Sequence, residues 1–152
     1  MTPLLRSMTL DDVAEVLALE RTLFPADAWS EGIFRDELAQ PDRYYLVAEE
    51  ADGTLVGYAG LRAVPPEGDV QTIAVAPERW GKGIGRALLT ALLDEARRRG
   101  ITAMFLEVRS DNPRARDLYQ KFGFVEVGVR SGYYVGADAI IMRRLEPIEE
   151  ER

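Results

Sequence analysis

Three glycines spaced two residues apart, followed at once by an amphipathic stretch, constrain this chain more than any other feature. Gly81, Gly83 and Gly85 follow a short apolar run that ends in Val75, and hydrophobic periodicity predicts a helix over Gly83–Arg99. Because glycine lacks a side chain and tolerates positive φ, successive N–H groups can turn toward one point, where the helix N-terminus adds partial positive charge. The stretch predicts a site for a phosphorylated ligand, although a plain strand-to-helix turn has the same composition.

The spacing of these glycines excludes two common nucleotide-binding loops. A Walker loop ends in Gly-Lys-Ser/Thr, but the lysine of this turn, Lys82, is followed by Gly83. A dinucleotide fingerprint needs a third glycine three residues after the second, where this chain has Arg86 or Leu88. The phosphorylated ligand is therefore expected to be bound through a different motif.

Local patterns predict one domain over residues 1–147, followed by a solvated tail at residues 148–152. Helices are expected from Thr9 to about residue 23, from Ser30 to Leu38, over Gly83–Arg99, and after Asn112 to about Lys121. Strands are expected at residues 44–49, 54–64, 69–75, 103–108, 124–130 and 137–144. Hairpins followed by a β–α–β crossover predict an α/β (α+β) fold with a mixed, mostly antiparallel sheet of about six to seven strands and about four helices.

The composition of the chain excludes several kinds of catalytic and binding site. Its 152 residues include no Cys and no His, which excludes a Cys nucleophile and a Ser-His-Asp triad, and no metal is expected. The net charge of −7 opposes direct binding to nucleic acid. An acidic surface suits a basic partner, and it also keeps a protein soluble. With no apolar run of roughly 18 to 20 residues and no secretory signal, we expect a cytoplasmic protein without membrane contacts.

A second segment follows the glycine loop in the order typical of one superfamily. A strand, an Asn, a short helix with a Leu-Tyr pair and a Gly-Phe turn succeed one another at Leu106–Arg109, Asn112, Leu118-Tyr119 and Gly123-Phe124. Together with the glycine loop, this order resembles the GNAT acyl-CoA transferases over most of the chain, from about Leu4 to Leu145. The resemblance implies the GNAT fold and acetyl-CoA as the acetyl donor.

Within this superfamily, the chain is similar to the RimI type, the ribosomal-protein alanine N-acetyltransferases. The similarity is carried by the Leu106–Arg109 strand, by Arg130 with Tyr133-Tyr134, and by the closing stretch at residues 138–142. It implies transfer of an acetyl group to a protein N-terminal α-amine, specifically the N-terminal Ala of a basic ribosomal protein. A monomer or weak dimer is expected.

The resemblance also implies which residues bind acetyl-CoA. The donor is expected between the strand ending at Val75 and the strand ending at Val108, with its diphosphate on the N–H groups of the glycine loop. The expected cofactor-binding residues are Ile73, Ala74, Val75, Arg79, Trp80, Gly81, Lys82, Gly83, Ile84, Gly85, Arg86, Asn112 and Tyr119. Trp80 stands where the family usually has Gln or Arg, and Asn112 can also cap the next helix.

Acyl transfer requires a neutral amine, a polarised thioester carbonyl and a proton donor for the departing thiolate. Making an α-amine of pKa ~8 neutral at pH 7 costs about 1.4 kcal/mol, against about 4.6 kcal/mol for a lysine amine. Glu107, on an otherwise apolar strand, is the candidate base acting through a water, unless it pairs with Arg109 on the same strand face. The resemblance implies that Tyr119 protonates the thiolate and that the N–H of Val75 binds the carbonyl oxygen.

The residues expected around the acceptor come from the resemblance alone. Glu20, Trp29, Tyr133 and Tyr134 are expected to line the peptide entrance, and Trp29 is equally compatible with a core position. Two departures from the family pattern border this region: an insertion at residues 26–28 and a short loop at residues 134–138. Two other functions therefore stay open, namely acetylation of a small amine, antibiotic or lysine side chain, and non-catalytic binding of acyl-CoA.

Overall fold

Seven strands form one mixed sheet with helices packed on both faces. The computed structural model describes residues 2–146, so the tail expected at residues 148–152 lies outside the described residues. The strands are β1 (Leu4–Ser7), β2 (Arg43–Glu49), β3 (Leu55–Val64), β4 (Glu67–Val75), β5 (Ala103–Arg109), β6 (Val125–Tyr134) and β7 (Ala137–Leu145). The helices are α1 (Val13–Leu23), α2 (Glu31–Ala39), α3 (Ile84–Arg98) and α4 (Pro113–Lys121), with short 3₁₀ helices at Leu10–Asp12 and Pro77–Arg79. The order β1-β2-β3-β4-β5-β7-β6 confirms the predicted fold class.

Capping side chains place the helix starts close to the predicted positions. The side chains of Ser30 and Asn112 each accept a backbone N–H bond of 3.2 Å in the first turns of α2 and α4. The helix predicted to begin after Thr9 starts with a 3₁₀ turn instead, closed by a 2.7 Å bond from the Thr9 N–H to the Asp12 carboxylate. The Arg6 guanidinium, hydrogen-bonded to that carboxylate, lowers the pKa of Asp12 to about 2.

Two strands differ from the sequence prediction. The pattern does not predict β1, because this strand is four residues long and its Leu4 side chain is exposed, so its place depends on pairing with the distant β2. The other strand, β6, continues to Tyr134 rather than ending at Arg130. Gly132 interrupts the strand-forming composition there, but its N–H donates to the Asp138 side chain at 2.8 Å and keeps the hairpin together.

The neighbouring strands β4 and β5 separate soon after they begin. Their parallel pairing joins Glu67–Asp69 to Ala103–Phe105 only. Beyond these residues β4 stays with β3 as far as Val75, whereas β5 stays with β7 as far as Arg109. The C-terminal halves of the two strands therefore border a gap in the sheet, and their backbone groups on that side have no strand partner within residues 2–146.

Apolar packing on both faces fixes the elements around this gap. On one face, α3 buries Leu88, Leu89 and Leu92 completely against the sheet. On the other face, Phe34 of α2 packs edge-on against Tyr58 of β3, with ring centroids 6.0 Å apart. Each such side chain stabilises the fold by roughly 1.5–3 kcal/mol. The orientation of α3, which begins directly after the glycine loop, is therefore set by the core.

Candidate active site

A cavity of about 760 Å³ occupies the gap between β4 and β5. Every predicted cofactor-binding residue except Lys82 lines it: Ile73, Ala74, Val75, Arg79, Trp80, Gly81, Gly83, Ile84, Gly85, Arg86, Asn112 and Tyr119. Its wall also contains residues that sequence reasoning did not identify, among them Phe24, Arg109 and Arg114. Residues from β4, the glycine loop, α3, β5 and α4 are thus brought together around one space.

The glycine loop presents a row of free backbone donors to this cavity. Gly81 and Gly83 have φ of 80° and 84°, in the left-handed region that favours glycine. A Cβ atom at either position would meet no other atom within 4 Å, so the backbone conformation, not lack of room, requires glycine there. The first helical bond of α3 runs from Ala87 to Gly83 at 3.0 Å, which leaves the N–H groups of residues 84–86 without a helical acceptor. This end of the cavity can therefore bind an anion.

The side chains beside the loop differ in how much charge they offer. Arg79 forms a two-point ion pair with Glu50, with contacts of 2.5 and 2.9 Å, so its charge is already balanced. The indole Nε1 of Trp80 donates to the Val75 carbonyl at 2.8 Å and ties the loop to the end of β4. Lys82 does not line the cavity, whereas Arg86 does, with its guanidinium 5.7 Å from the centroid of the Phe122 ring.

Tyr119 places a phenol on the cavity wall. The ring is buried and packs edge-on against Phe124, with centroids 6.0 Å apart. Burial raises the pKa of Tyr119 well above its ordinary value, and the neighbouring Tyr134 adds to the effect. The phenol is therefore protonated at neutral pH and can donate a hydrogen bond. Asn112, near the start of the same helix, caps α4 through its Oδ1 and leaves its amide N–H₂ free to face the cavity.

Glu107 pairs with a different residue from the one the sequence suggested. Its carboxylate accepts a 2.8 Å contact from the Nε of Arg130 on β6, and its side chain is 25% exposed. The alternative pairing with Arg109 is wrong, because Arg109 binds Asp27 and Asp111 instead. Alternation along β5 puts Glu107 on the face opposite Leu106 and Val108, whose side chains are buried in the core.

The four residues expected at the acceptor entrance divide into two groups. Glu20 is only 2% exposed, and its carboxylate accepts hydrogen bonds from the Tyr58 hydroxyl and, at 2.9 Å, from the Trp29 N–H. Burial raises the pKa of Glu20. Trp29 packs on Phe34 with ring centroids 5.2 Å apart, so this pair holds the α1–α2 loop onto the core.

Tyr133 and Tyr134 instead lie at the end of β6. Their rings contact edge-to-face at 5.0 Å, and Tyr133 is exposed. Burial and the nearby Glu107 carboxylate raise the pKa of Tyr134 to about 12. Tyr134 in turn lies close enough to Tyr119 to raise the pKa of that phenol, so the end of β6, Glu107 and Tyr119 lie near one another.

Comparison with known proteins identifies the superfamily. The family model of the acetyltransferase (GNAT) family matches residues 11–124. The chain belongs to the GNAT family. N-alpha-acetyltransferase RimI of Mycobacterium tuberculosis is 46% identical over 145 residues, which cover 91% of this chain and 89% of that protein. The [ribosomal protein bS18]-alanine N-acetyltransferase of Escherichia coli K12 is 38% identical over 118 residues, covering 75% and 78% of the two chains.

A solved structure supports the same relationship. The ribosomal-protein-S18-alanine N-acetyltransferase from Escherichia coli superposes on this GNAT chain with a TM-score of 0.85 at 30% identity, covering 98% of this chain and 97% of the other. The predicted GNAT fold is confirmed, and so is the predicted enzyme class: the chain is an N-acetyltransferase that uses acetyl-CoA.

Within residues 2–146, no group of three or more Asp or Glu side chains is arranged to hold a metal ion. None of the helices in that part of the chain is long and apolar enough to cross a membrane.

Arg109 joins the α1–α2 loop to the β6–β7 turn. Its guanidinium binds the carboxylate of Asp27, between α1 and α2, and donates to the Val135 carbonyl between β6 and β7 at 3.0 Å. Asp27 also accepts a 3.2 Å bond from the Val135 N–H, and Asp111 accepts a 2.9 Å bond from the Arg109 Nε. The α1–α2 loop and the β6–β7 turn of this GNAT enzyme thus form one hydrogen-bonded bridge beside the cavity.

We predict that Asp27→Ala loosens both loops together. The substitution removes the acceptor for Arg109 and for the Val135 N–H, so backbone amides of residues 24–30 and 132–137 should exchange hydrogen faster, by about tenfold in each segment. Hydrogen–deuterium exchange followed by mass spectrometry measures both segments at once. Asp36→Ala is the control, because this Asp of α2 is exposed and its side chain has no hydrogen-bond partner within residues 2–146. Unchanged exchange at residues 132–137 in Asp27→Ala would contradict the bridge.

Proposed function

We propose that this enzyme acetylates the N-terminal α-amine of a protein, and that its substrate is the N-terminal alanine of a basic ribosomal protein. One observation carries the proposal: a chain with an open cavity at the β4–β5 gap is 46% identical over 145 residues to a relative named for α-amine acetylation. The relatives named for ribosomal protein bS18 support the finer assignment. Acetylation of a ribosomal protein takes place in the cytoplasm, which is the location we propose, with residues 1–147 acting as one catalytic domain.

Acetyl-CoA is proposed to lie in this cavity. The free N–H groups of the glycine loop and of residues 84–86 suit its diphosphate. The pantetheine arm would run beside the unpaired edge of β4. The N–H of Ala76 donates to Val56 of β3 at 2.8 Å, and adjacent residues of a strand point in opposite directions, so the N–H of Val75 faces the gap. That N–H is the proposed donor to the thioester carbonyl oxygen.

Two protein side chains are proposed to move protons during transfer. The amine nitrogen forms a bond to the acetyl carbon while the carbon–sulfur bond breaks. Tyr119, kept neutral by its raised pKa, gives its proton to the departing sulfur and then regains one from solvent. Glu107, whose side chain pairs with Arg130 and is 25% exposed, accepts through a water the proton that the amine loses.

The reference pKa values of carboxylates and amines favour an α-amine as acceptor. A carboxylate with an ordinary pKa near ~4.3 is poorly matched to a lysine ammonium near ~10.4, whereas an α-amine near ~8 is partly neutral without help. The net charge of −7 also suits a basic peptide.

The decisive experiment measures CoA thiol release from acetyl-CoA with three acceptors. These are a basic peptide beginning with free Ala, the same peptide with a blocked N-terminus and one internal lysine, and spermidine. We predict release with the free-Ala peptide at least about a hundredfold above the other two, because the α-amine is the more easily deprotonated acceptor. Release only with spermidine or the lysine peptide would move the enzyme to the small-amine or lysine class. Absence of release with tight CoA binding would support the non-catalytic alternative.

We predict that Tyr119→Phe lowers kcat by about a hundredfold and leaves the Kd for CoA within about twofold, since Phe keeps the ring packing and loses only the proton donor. Steady-state kinetics with the free-Ala peptide and calorimetric titration of CoA give the two quantities. Tyr44→Phe, on a phenol outside the cavity, is the matched control. An unchanged kcat in Tyr119→Phe would remove this residue from the mechanism.

We predict that Glu107→Gln produces a defect that depends on pH. At pH 7 the variant should lose about tenfold in kcat/KM, and the loss should shrink above pH ~8 because the α-amine is then neutral without a base. The pH profile of kcat/KM from pH 6 to 9 tests this. Glu126→Gln, which removes another ion-paired carboxylate of the sheet, should keep the wild-type profile. A loss in Glu107→Gln that is equal at all pH values would indicate a structural role.

A further inference from the structure

A stacked arginine lies on the cavity wall beside Trp80, the residue that precedes the glycine loop. Arg114, in the first turn of α4, places its guanidinium carbon 4.4 Å from the centroid of the Trp80 ring. Both residues line the cavity, and both are exposed, so they stand at its solvent side. The distance corresponds to direct stacking of a cation on an aromatic face.

Trp80 is held firmly enough to orient this cation. Its Nε1 donates to the Val75 carbonyl at 2.8 Å, which fixes the indole plane between the end of β4 and α4. A guanidinium stacked on a fixed ring has fewer rotamers to lose when it binds a ligand. Trp80 occupies the loop position where the family usually has Gln or Arg, so the chain has an aromatic support where a polar side chain is expected.

Arg114 has no carboxylate partner among residues 2–146. Arg79, Arg109 and Arg116 all have carboxylate partners. No carboxylate of residues 2–146 forms a salt bridge with Arg114, although the chain carries 26 acidic residues against 19 basic ones. A basic residue in the first turn of a helix is also unfavourable to the helix itself, because that end carries partial positive charge. Neither ion pairing nor helix stability therefore accounts for this guanidinium.

We propose that Arg114, oriented by Trp80, binds a phosphate group of the acyl-CoA donor. The proposal rests on the placement of acetyl-CoA in the β4–β5 cavity. Guanidinium binds phosphate oxygens in a two-point arrangement, and the glycine loop with its N–H groups borders the same cavity. The donor offers such oxygens at its diphosphate and at its 3′-phosphate.

Calorimetric titration with CoA and with 3′-dephospho-CoA tests the proposal without any acceptor. Arg114→Gln should raise the Kd for CoA about tenfold, as expected for the loss of one charge-assisted contact. Arg98→Gln, which makes the same charge change on an exposed residue outside the cavity, should stay within about twofold of the wild type. If the 3′-phosphate is the partner, the Arg114→Gln effect disappears with dephospho-CoA; if the diphosphate is the partner, the effect persists.

Trp80→Leu removes the aromatic ring that orients Arg114 and leaves the positive charge of Arg114 in place. It should weaken CoA binding about threefold, and the double variant with Arg114→Gln should bind no more weakly than Arg114→Gln alone, because the two residues act as a unit. Thermal unfolding followed by circular dichroism checks that every variant is folded.

Equal Kd values for wild type and Arg114→Gln with both ligands would overturn the proposal. CoA binding that depends on Arg114 without N-terminal transfer would overturn only the proposed function, and absence of CoA binding to the wild type would overturn both.

Discussion

The loss of hydrogen bonding between β4 and β5 is the constraint on which the rest of this structure depends. A parallel pair that stops at Asp69 and Phe105 leaves two strand ends with unpaired backbone groups on facing edges. Unpaired groups must be satisfied by water or by a ligand. The gap also leaves room for the glycine loop to reach the sheet, and α3 is fixed by its buried leucines so that its N-terminus closes one end. The strand arrangement therefore creates the cavity in which the donor is proposed to bind.

The region proposed to bind the acceptor is held by hydrogen bonds of polar side chains instead of by apolar packing. Polar contacts dominate there. The Glu20 carboxylate accepts a hydrogen bond from the Trp29 N–H in the α1–α2 loop, and Arg109 joins that loop to the β6–β7 turn. Both side chains have several hydrogen-bonding partners, and such networks help to set the geometry of the segments they join. The core fixes the proposed donor site, whereas a few polar contacts fix the shape of the proposed acceptor region.

Much of the fold could be predicted because its determinants are local. Ser30 and Asn112 cap helices through contacts three residues away, and the glycines mark the turn before α3. The sequence did not predict contacts between residues that lie far apart in the chain. The carboxylate of Glu107 meets Arg130 across β7, and β1 needs β2, so neither can be read from neighbours in the chain. Arg114 could have been noticed as a cation in a helix first turn, but only the fold brings it onto Trp80.

Substitutions at Gly81 and Gly83 would affect anion binding and the fold of a related chain to different extents. A side chain at either position would find empty space, so replacement would strain the local backbone without disturbing the hydrophobic core. Selection to keep the fold would therefore act weakly on these two positions, and selection to keep anion binding would act strongly. In a related chain, loss of these glycines is therefore expected to impair anion binding before it impairs the fold.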